Sequence, residues 1–231
     1  MEKTISFLID VIDKYYHQKR ILKFLKNFDI KIILDVGAHK GEFLQSIKKI
    51  INFEKIYSFE PQKDIYQVLN LFTKEDKIFC FNFALGKKNE IRNLKISKKT
   101  STSTFSEIND FSLWYKIKSF ILSGSIKSSF ISEEKVQVIK LDDFCRENKI
   151  SNIDLLKIDT EGHEKDVLEG AKNLLKERKI KYILLEVHLS QMYKNYSIND
   201  LENLLDNFNF KLLKKSRFPI LSFEDRIYGL L

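Results

Sequence analysis

With 231 residues, 43% hydrophobic and 31% charged, the chain suits one globular α/β domain with decorations, and two prolines and seven glycines leave little room for disordered stretches. No apolar run reaches the roughly 18–20 residues of a membrane span, and acidic residues inside MEKTISFLIDVIDKYY argue against a secretory signal. Cys80 and Cys145, without metal spacing, point to a reducing, cytoplasmic setting, and a net charge of +8 spread over scattered lysines suggests a solvated basic surface more than a nucleic-acid or anionic-membrane stripe.

Residues 4–28 carry Ile5, Leu8, Ile9 and Ile12, then Ile21, Leu22, Leu25 and Phe28, at helical spacing. One or two amphipathic helices are expected there, as an N-terminal extension over 1–30 that covers part of a sheet. Next, Ile32, Ile33, Leu34 and Val36 form an apolar run broken only by Asp35. Gly37 and Gly41 bracket a turn, and Phe43, Leu44 and Ile47 begin a helical period. Strand, glycine turn and helix make the first βα unit of an open α/β sheet, whose turn lies where ligands bind. Gly37 lets the backbone turn sharply, and Gly41 is expected to let the helix begin close to a ligand.

A dinucleotide site needs G-x-G-x-x-G, whereas here the spacing is Gly37-x-x-x-Gly41 with His39 between, and no Walker lysine followed by Ser/Thr is present. Asp35 repels a pyrophosphate but suits a cationic amino group. S-adenosylmethionine (SAM) carries an ammonium and a sulfonium, so the turn reads as a SAM site with Asp35, Gly37, His39 and Gly41 at the cofactor. Ile56, Tyr57 and Phe59 make a second strand ending at Glu60, where an acid accepts from both ribose hydroxyls. Pro61 ends that strand and a helix over 64–72 follows.

KIFCFNFALG reads as one strand buried on both faces, with Asn82 reaching the adenine side of the pocket or bonding neighbouring backbone. EIRNLKIS is a short strand. The Ser/Thr-rich KKTSTSTFSEI and the mixed FSLWYKIKSFILSGSIKSSF then form an insertion or lid over about 97–131. Trp114 and Tyr115 are available there to stack on a sugar or base, and a peripheral membrane or dimer contact through 111–131 stays open. VQVIKLDDFCREN is a strand with Val136, Val138 and Leu141 alternating, then a short helix capped by Asp142. IDLLKIDTEGHEKDVLEGAKNLLKE is a second strand–turn–helix, its helix striped by Val167, Leu168, Ala171, Leu174 and Leu175. KYILLEVH is a buried strand, 199–208 a helix, and FKLLKKS with DRIYGLL a closing antiparallel pair.

Three strand exits thus deliver polar groups to one edge: Asp35 to Gly41, Asp159 to His163, and Glu186 with His188. Asp159, Glu161 and Glu186 are carboxylates suited to act as base, to orient a hydroxyl or to hold a hard divalent cation. His188 and His163 are alternative bases, since histidine titrates near neutral pH. The candidates stand in the order Asp159, Glu186, His188, His163; Lys157, on a buried strand, is expected to pair with one of the carboxylates. Glu161 and Glu164 can also serve merely to complement a helix N-terminus.

DVGAHKGEF, IYSFEPQKDIYQVL, FNFALG, VIKLDDFC, IDLLKIDTEGHEKDVLEGAKNLL and ILLEVH, over about residues 31–190, resemble in content and order the FkbM-type methyltransferases. The resemblance implies a Rossmann-like SAM-methyltransferase fold over 31–231: a mostly parallel central sheet with a closing antiparallel pair and helices on both faces. It implies SAM held by Asp35, Gly37, Gly41 and Glu60, an acidic turn at Asp159 and Glu161, and O-methylation of a sugar, glycan, polyketide or other metabolite, often in polysaccharide pathways. His39 departs from the family's usual asparagine. The expected reaction is attack of a hydroxyl oxygen on the SAM methyl, with a divalent metal not favoured. The rivals are RNA or protein methylation and a non-catalytic SAM-binding module. Base N-methylation is disfavoured because Asp159-Thr160-Glu161-Gly162 lacks the Pro-Pro-aromatic turn, and an NAD-linked oxidoreductase is disfavoured by the glycine spacing.

Overall fold

The computed structural model describes residues 18–98, 100–109, 111–113, 115–117, 130–218 and 222–231. Residues 4–17 of the expected N-terminal helices, Trp114 and most of 111–131 lie outside the described residues. In chain order the strands are β1 (Ile32–Val36), β2 (Lys55–Phe59), β3 (Ile78–Phe81), β4 (Ala84–Leu85), β5 (Glu90–Ser97), β6 (Phe130–Ile139), β7 (Ile153–Ile158), β8 (Ile180–His188), β9 (Phe210–Arg217) and β10 (Phe223–Leu230). The helices are α1 (Gln18–Leu25), α2 (Glu42–Ile47), α3 (Lys63–Leu69), α4 (Leu141–Glu147), α5 (Glu164–Glu169), α6 (Lys172–Lys176) and α7 (Ile198–Asn207).

Seven strands form the central sheet in the order β3-β2-β1-β7-β8-β10-β9. Neighbours from β3 to β8 run parallel, and β10 lies antiparallel to both β8 and β9. Alternation along the strands feeds two cores. Leu34, Val36, Leu156 and Ile158 meet α4, α5 and α7 on one face, while Ile33, Leu155 and Leu184 meet α1 and α2 on the other. That two-sided cover is why these strands read as unbroken apolar runs. The chain order reverses between β1 and β7, and the crevice beyond their carboxyl ends is where such sheets bind ligands.

Four local expectations are revised. The expected strand over 77–86 breaks at Asn82. There β3 ends, and β4 joins a second sheet, β4-β6-β5, pairing parallel with β6 while β5 pairs antiparallel. The helix after β7 is interrupted into α5 and α6 at Gly170 and Ala171, and a Cβ on Gly170 would lie 2.0 Å from the Gly86 carbonyl oxygen, so two backbones cross there. Its stripe of Val167, Leu168, Ala171, Leu174 and Leu175 is nevertheless buried. Asp142 caps α6 and not its own helix: its carboxylate accepts from the N–H groups of Asn173 (3.0 Å) and Leu174 (3.1 Å). Leu141 opens α4 and is no part of β6.

Candidate active site

A cavity of about 670 Å³ opens at the reversal point, within the range of a cofactor pocket. Its first wall is the turn after β1. Gly37 sits at φ +76°, its N–H donating to the Phe59 carbonyl, and a Cβ there would fall 1.9 Å from the Asp159 carbonyl oxygen. Only glycine fits. His39 also has positive φ (47°), a conformation that histidine tolerates better than most residues. Its backbone N–H donates to Glu60 Oε2 (2.9 Å), and its ring nitrogens lie 3.0 Å from Glu42 Oε1 and 2.8 Å from Thr100 Oγ1. Gly41 serves otherwise than expected. At φ +83° it starts α2, but its missing side chain makes room for the Phe72 ring, and its N–H bonds Ala38 within the turn.

Glu60 lines the cavity while only 3% exposed. Its two oxygens accept from the backbone N–H groups of His39 and Gln62 (2.8 Å), and burial outweighs these bonds to push its pKa up to about 7. Asp35, by contrast, is placed beneath the cavity and not in its lining. In the sheet register it stands beside Lys157, so the two side chains share a face. Lys157 Nζ lies 3.1 Å from Asp35 Oδ1, 3.3 Å from Asp159 Oδ2 and 2.9 Å from the Gly37 carbonyl. Burial works against this ammonium, but the two carboxylates prevail and hold it charged. The expected direct contact of Asp35 with a cofactor amino group is therefore replaced by a buried pair that fixes Lys157 between the Gly37 turn and Asp159.

Asp159 lines the cavity with about a third of its side chain exposed. Burial raises its pKa; Lys157 lowers it, and Glu161 and Asp225 raise it again. Glu161 also lines the cavity, at φ +52°, a strained conformation held by its neighbours. The Tyr193 hydroxyl donates to Glu161 Oε2, and His188 Nε2 lies 3.5 Å from the same oxygen. Glu186 reaches the lining, but His188 does not: it is buried behind Glu161 against Tyr193 and Tyr196. Asn82 also stays out of the lining, because its amide donates to the carbonyls of Glu60 and Pro61, both at 3.0 Å. Glu164 does complement its turn, accepting from the N–H groups of Thr160 and Gly162. Among the described residues no group of three or more His, Cys, Asp or Glu side chains is arranged to hold a metal ion.

Residues 35–212 match the Methyltransferase FkbM domain. The chain belongs to the FkbM methyltransferase family. It is similar to the 2-O-methyltransferase NoeI of Sinorhizobium fredii, with 24% identity over 188 residues that cover 76% of this chain and 70% of that protein. Its fold is similar to that of the methyltransferase FkbM from Methylobacillus flagellatus, at a TM-score of 0.57 and 16% identity. That match covers 87% of this chain but 44% of the other, so this chain spans less than half that protein's length. A SAM-dependent methyltransferase from Aquifex aeolicus superposes at a TM-score of 0.50 and 11% identity over 100% of this chain and 99% of its own. With the family comes the enzyme class, SAM-dependent methyl transfer.

Two parts of this FkbM methyltransferase's cavity escape the motif reading. Phe218, Phe223 and Asp225 line it from the tail, where the two rings stack 4.7 Å apart. An antiparallel strand brings its beginning, not its end, to the site edge, and that topological signal would have picked out Asp225. The described start of the insertion supplies the opposite wall. Thr104 Oγ1 donates to the Glu161 carbonyl, Ser106 Oγ to the Gly162 carbonyl, and Ser103 Oγ to Gln62 Oε1. The Ser/Thr richness thus straps the loop across two strand exits. Tyr115 turns away from the cavity to pack with Met192 and Tyr193. No described helix is long and apolar enough to cross a membrane.

Proposed function

We propose that this FkbM methyltransferase transfers a methyl group from SAM to a hydroxyl oxygen of a sugar, glycan or related small metabolite, as in bacterial surface-polysaccharide or natural-product biosynthesis. One observation carries this: a single cavity has two chemically different sides. Toward the second sheet Ala84, Leu85, Leu94 and Phe105 give it an apolar floor, beside Lys98, His163 and the hydroxyl-bearing residues Thr100 to Ser103. Toward β8 and β10 it presents Asp159, Glu186 and Asp225 beside the Phe218–Phe223 stack, and carboxylates next to aromatic rings suit a polyhydroxylated acceptor. The 2-O-methyltransferase relative supports the choice of a hydroxyl.

The residues present fit SAM. Glu60 is a buried carboxylate at the cavity surface with acceptor capacity beyond its two backbone bonds, suited to ribose hydroxyls. The bare Gly37 turn admits a ligand against the backbone. SAM when bound supplies a methyl on a sulfonium that departs without acid assistance. The protein's task is alignment and removal of one proton. Asp159 is suited to take the hydroxyl proton: burial and the nearby Glu161 and Asp225 charges raise its affinity for a proton, and Lys157 fixes its position. Glu186 and Asp225, directly opposite each other across β8 and β10, are suited to orient neighbouring hydroxyls.

The test is calorimetric titration with SAM, S-adenosylhomocysteine and NADH, for the native chain and Glu60→Ala, followed by transfer of labelled methyl to nucleotide sugars and glycans. Micromolar binding of the first two ligands, weakened in the variant, with label in a sugar is the expected outcome. No SAM binding sinks the reading. Label found only in RNA, with steep salt dependence, overturns the acceptor class.

A further inference from the structure

Glu60 is held by two backbone N–H groups, those of His39 and Gln62. Both of these residues also turn their side chains onto one short turn of the insertion, Thr100 to Ser103, in which the Ser103 N–H donates to the Thr100 carbonyl at 3.3 Å. The Gln62 amide grips that turn at both ends. Its Nε2 donates to the Thr100 carbonyl (2.9 Å), and its Oε1 accepts from Ser103 Oγ (3.1 Å). With Glu42 as the acceptor beside His39 Nδ1, Nε2 of the neutral ring accepts from the Thr100 hydroxyl. Gln62 is only 6% exposed, so an amide stripped of these partners becomes a buried, unsatisfied polar group, which is costly. The backbone of Gln62 thus answers to Glu60, and its side chain to the insertion.

The same stretch goes on to the other strand exit. Thr104 Oγ1 donates to the Glu161 carbonyl at 2.6 Å and Ser106 Oγ to the Gly162 carbonyl at 2.8 Å, in the turn that begins at Asp159. All these ties are side-chain bonds on a loop, the kind that opens locally at small cost. Glu60, Gln62 and Thr100 to Ser103 line one cavity. A ligand seated on Glu60 therefore faces the insertion when it is closed and loses it when it is open, and such a difference in contact is what shifts a population. Resting on the SAM reading above, we propose that Gln62 is a positioning residue through which a cofactor at Glu60 holds the insertion closed and so steadies the Asp159 turn.

The experiment is hydrogen–deuterium exchange of the full chain, alone and with saturating S-adenosylhomocysteine, with occupancy checked by calorimetry. Peptides spanning 100–106 report on the insertion, and β9, at the edge of the sheet, serves as reference. In the native chain we expect the ligand to slow exchange at least fivefold over 100–106 and less than twofold over β9. In Gln62→Met, which keeps its backbone N–H on Glu60 but has no amide, the slowing over 100–106 should be less than twofold. Ser103→Ala, which spares the bond to the Thr100 carbonyl, should fall between the two. A Gln62 that serves only the fold would lower the melting temperature and leave the ligand-induced slowing at its native size. That result overturns the inference, as does a native chain that binds S-adenosylhomocysteine without slowing 100–106; in both cases the methyltransferase reading stands. If Gln62→Met does not fold, Ser103→Ala decides, and slowing equal to the native chain's overturns the inference. Failure of the native chain to bind S-adenosylhomocysteine removes both.

Discussion

The cavity's two principal walls are held by different physics. The wall from β1, β2 and β7 is set by backbone register: Gly37 against the Asp159 carbonyl, and the Asp35–Lys157–Asp159 chain beneath it. The inserted wall, Thr100 to Phe105, is held by side-chain hydroxyls that donate to carbonyls of other loops. The first is over-determined, so any change propagates into the sheet. The second is a set of separable bonds, each worth about 0.5–1.5 kcal/mol.

The largest effect is expected at Gly37. Gly37→Ala places a methyl inside the Asp159 carbonyl and forces φ +76° on a residue with a side chain. A loss of about 4 kcal/mol or more follows, at the exceptional end for single substitutions. Urea denaturation should show little folded protein; near-native stability would mean that the β1 and β7 exits are free to part. Next is Lys157→Met, which leaves the fully buried Asp35 without its cation, so that it must take up a proton or stay an unpaired charge, at a cost of up to about 3–5 kcal/mol. Adding Asp35→Asn should recover much of that loss. Equal stabilities for the single and double variants would show that the two side chains are not coupled.

Much of this wall was legible. The apolar runs of β1, β7 and β8, the glycine turn and Glu60 follow from period and spacing, because the parallel sheet is covered on both faces and its exits share one edge. Three things were not. Asp35 reads as a ligand because sequence shows an acid beside a glycine, while the cross-strand register that pairs it with Lys157 is tertiary. Asn82 and Asp142 spend their side chains on backbone groups brought from elsewhere in the fold. Phe218 and Asp225 come from a tail with no motif, and only the antiparallel sense of β10, which carries its first residues to the site edge, singles out Asp225.

Glu60 gives an intermediate effect. Glu60→Ala removes a carboxyl acceptor from the cavity while leaving the sheet strands in place, so above pH 7, where the group is ionised, S-adenosylhomocysteine affinity should fall about tenfold to a hundredfold, from about 1.5–3 kcal/mol per such bond. Calorimetry reads it, and an unchanged affinity would place the ribose elsewhere.

A pH effect follows from two buried acids. Glu60 and Glu164 both have pKa values raised from 4.5 to about 7, burial being the main cause. Folding therefore takes up protons between about pH 4.5 and 7, and the stability these groups contribute falls as pH rises through that window. Glu164→Gln keeps an oxygen for the Thr160 and Gly162 N–H groups and removes the buried charge. The melting temperature of this variant should fall less between pH 5 and 8 than that of the native protein. A parallel pair of curves would mean that Glu164 titrates alike in the folded and unfolded chain.

The smallest effect belongs to the inserted wall. Thr100→Ala removes the hydroxyl 2.8 Å from His39 Nε2 but leaves the Thr100 carbonyl, which accepts from Gln62 Nε2 at 2.9 Å, so the loop keeps one of its ties. The stability loss should stay near 1 kcal/mol, since a single partly buried bond is involved. S-adenosylhomocysteine affinity should change less than about threefold, because the backbone N–H groups of His39 and Gln62 keep their bonds to Glu60 when the Thr100 hydroxyl is removed. If instead Thr100→Ala costs as much stability as Lys157→Met, the insertion is a structural member of the sheet wall and the two sides of the cavity move as one.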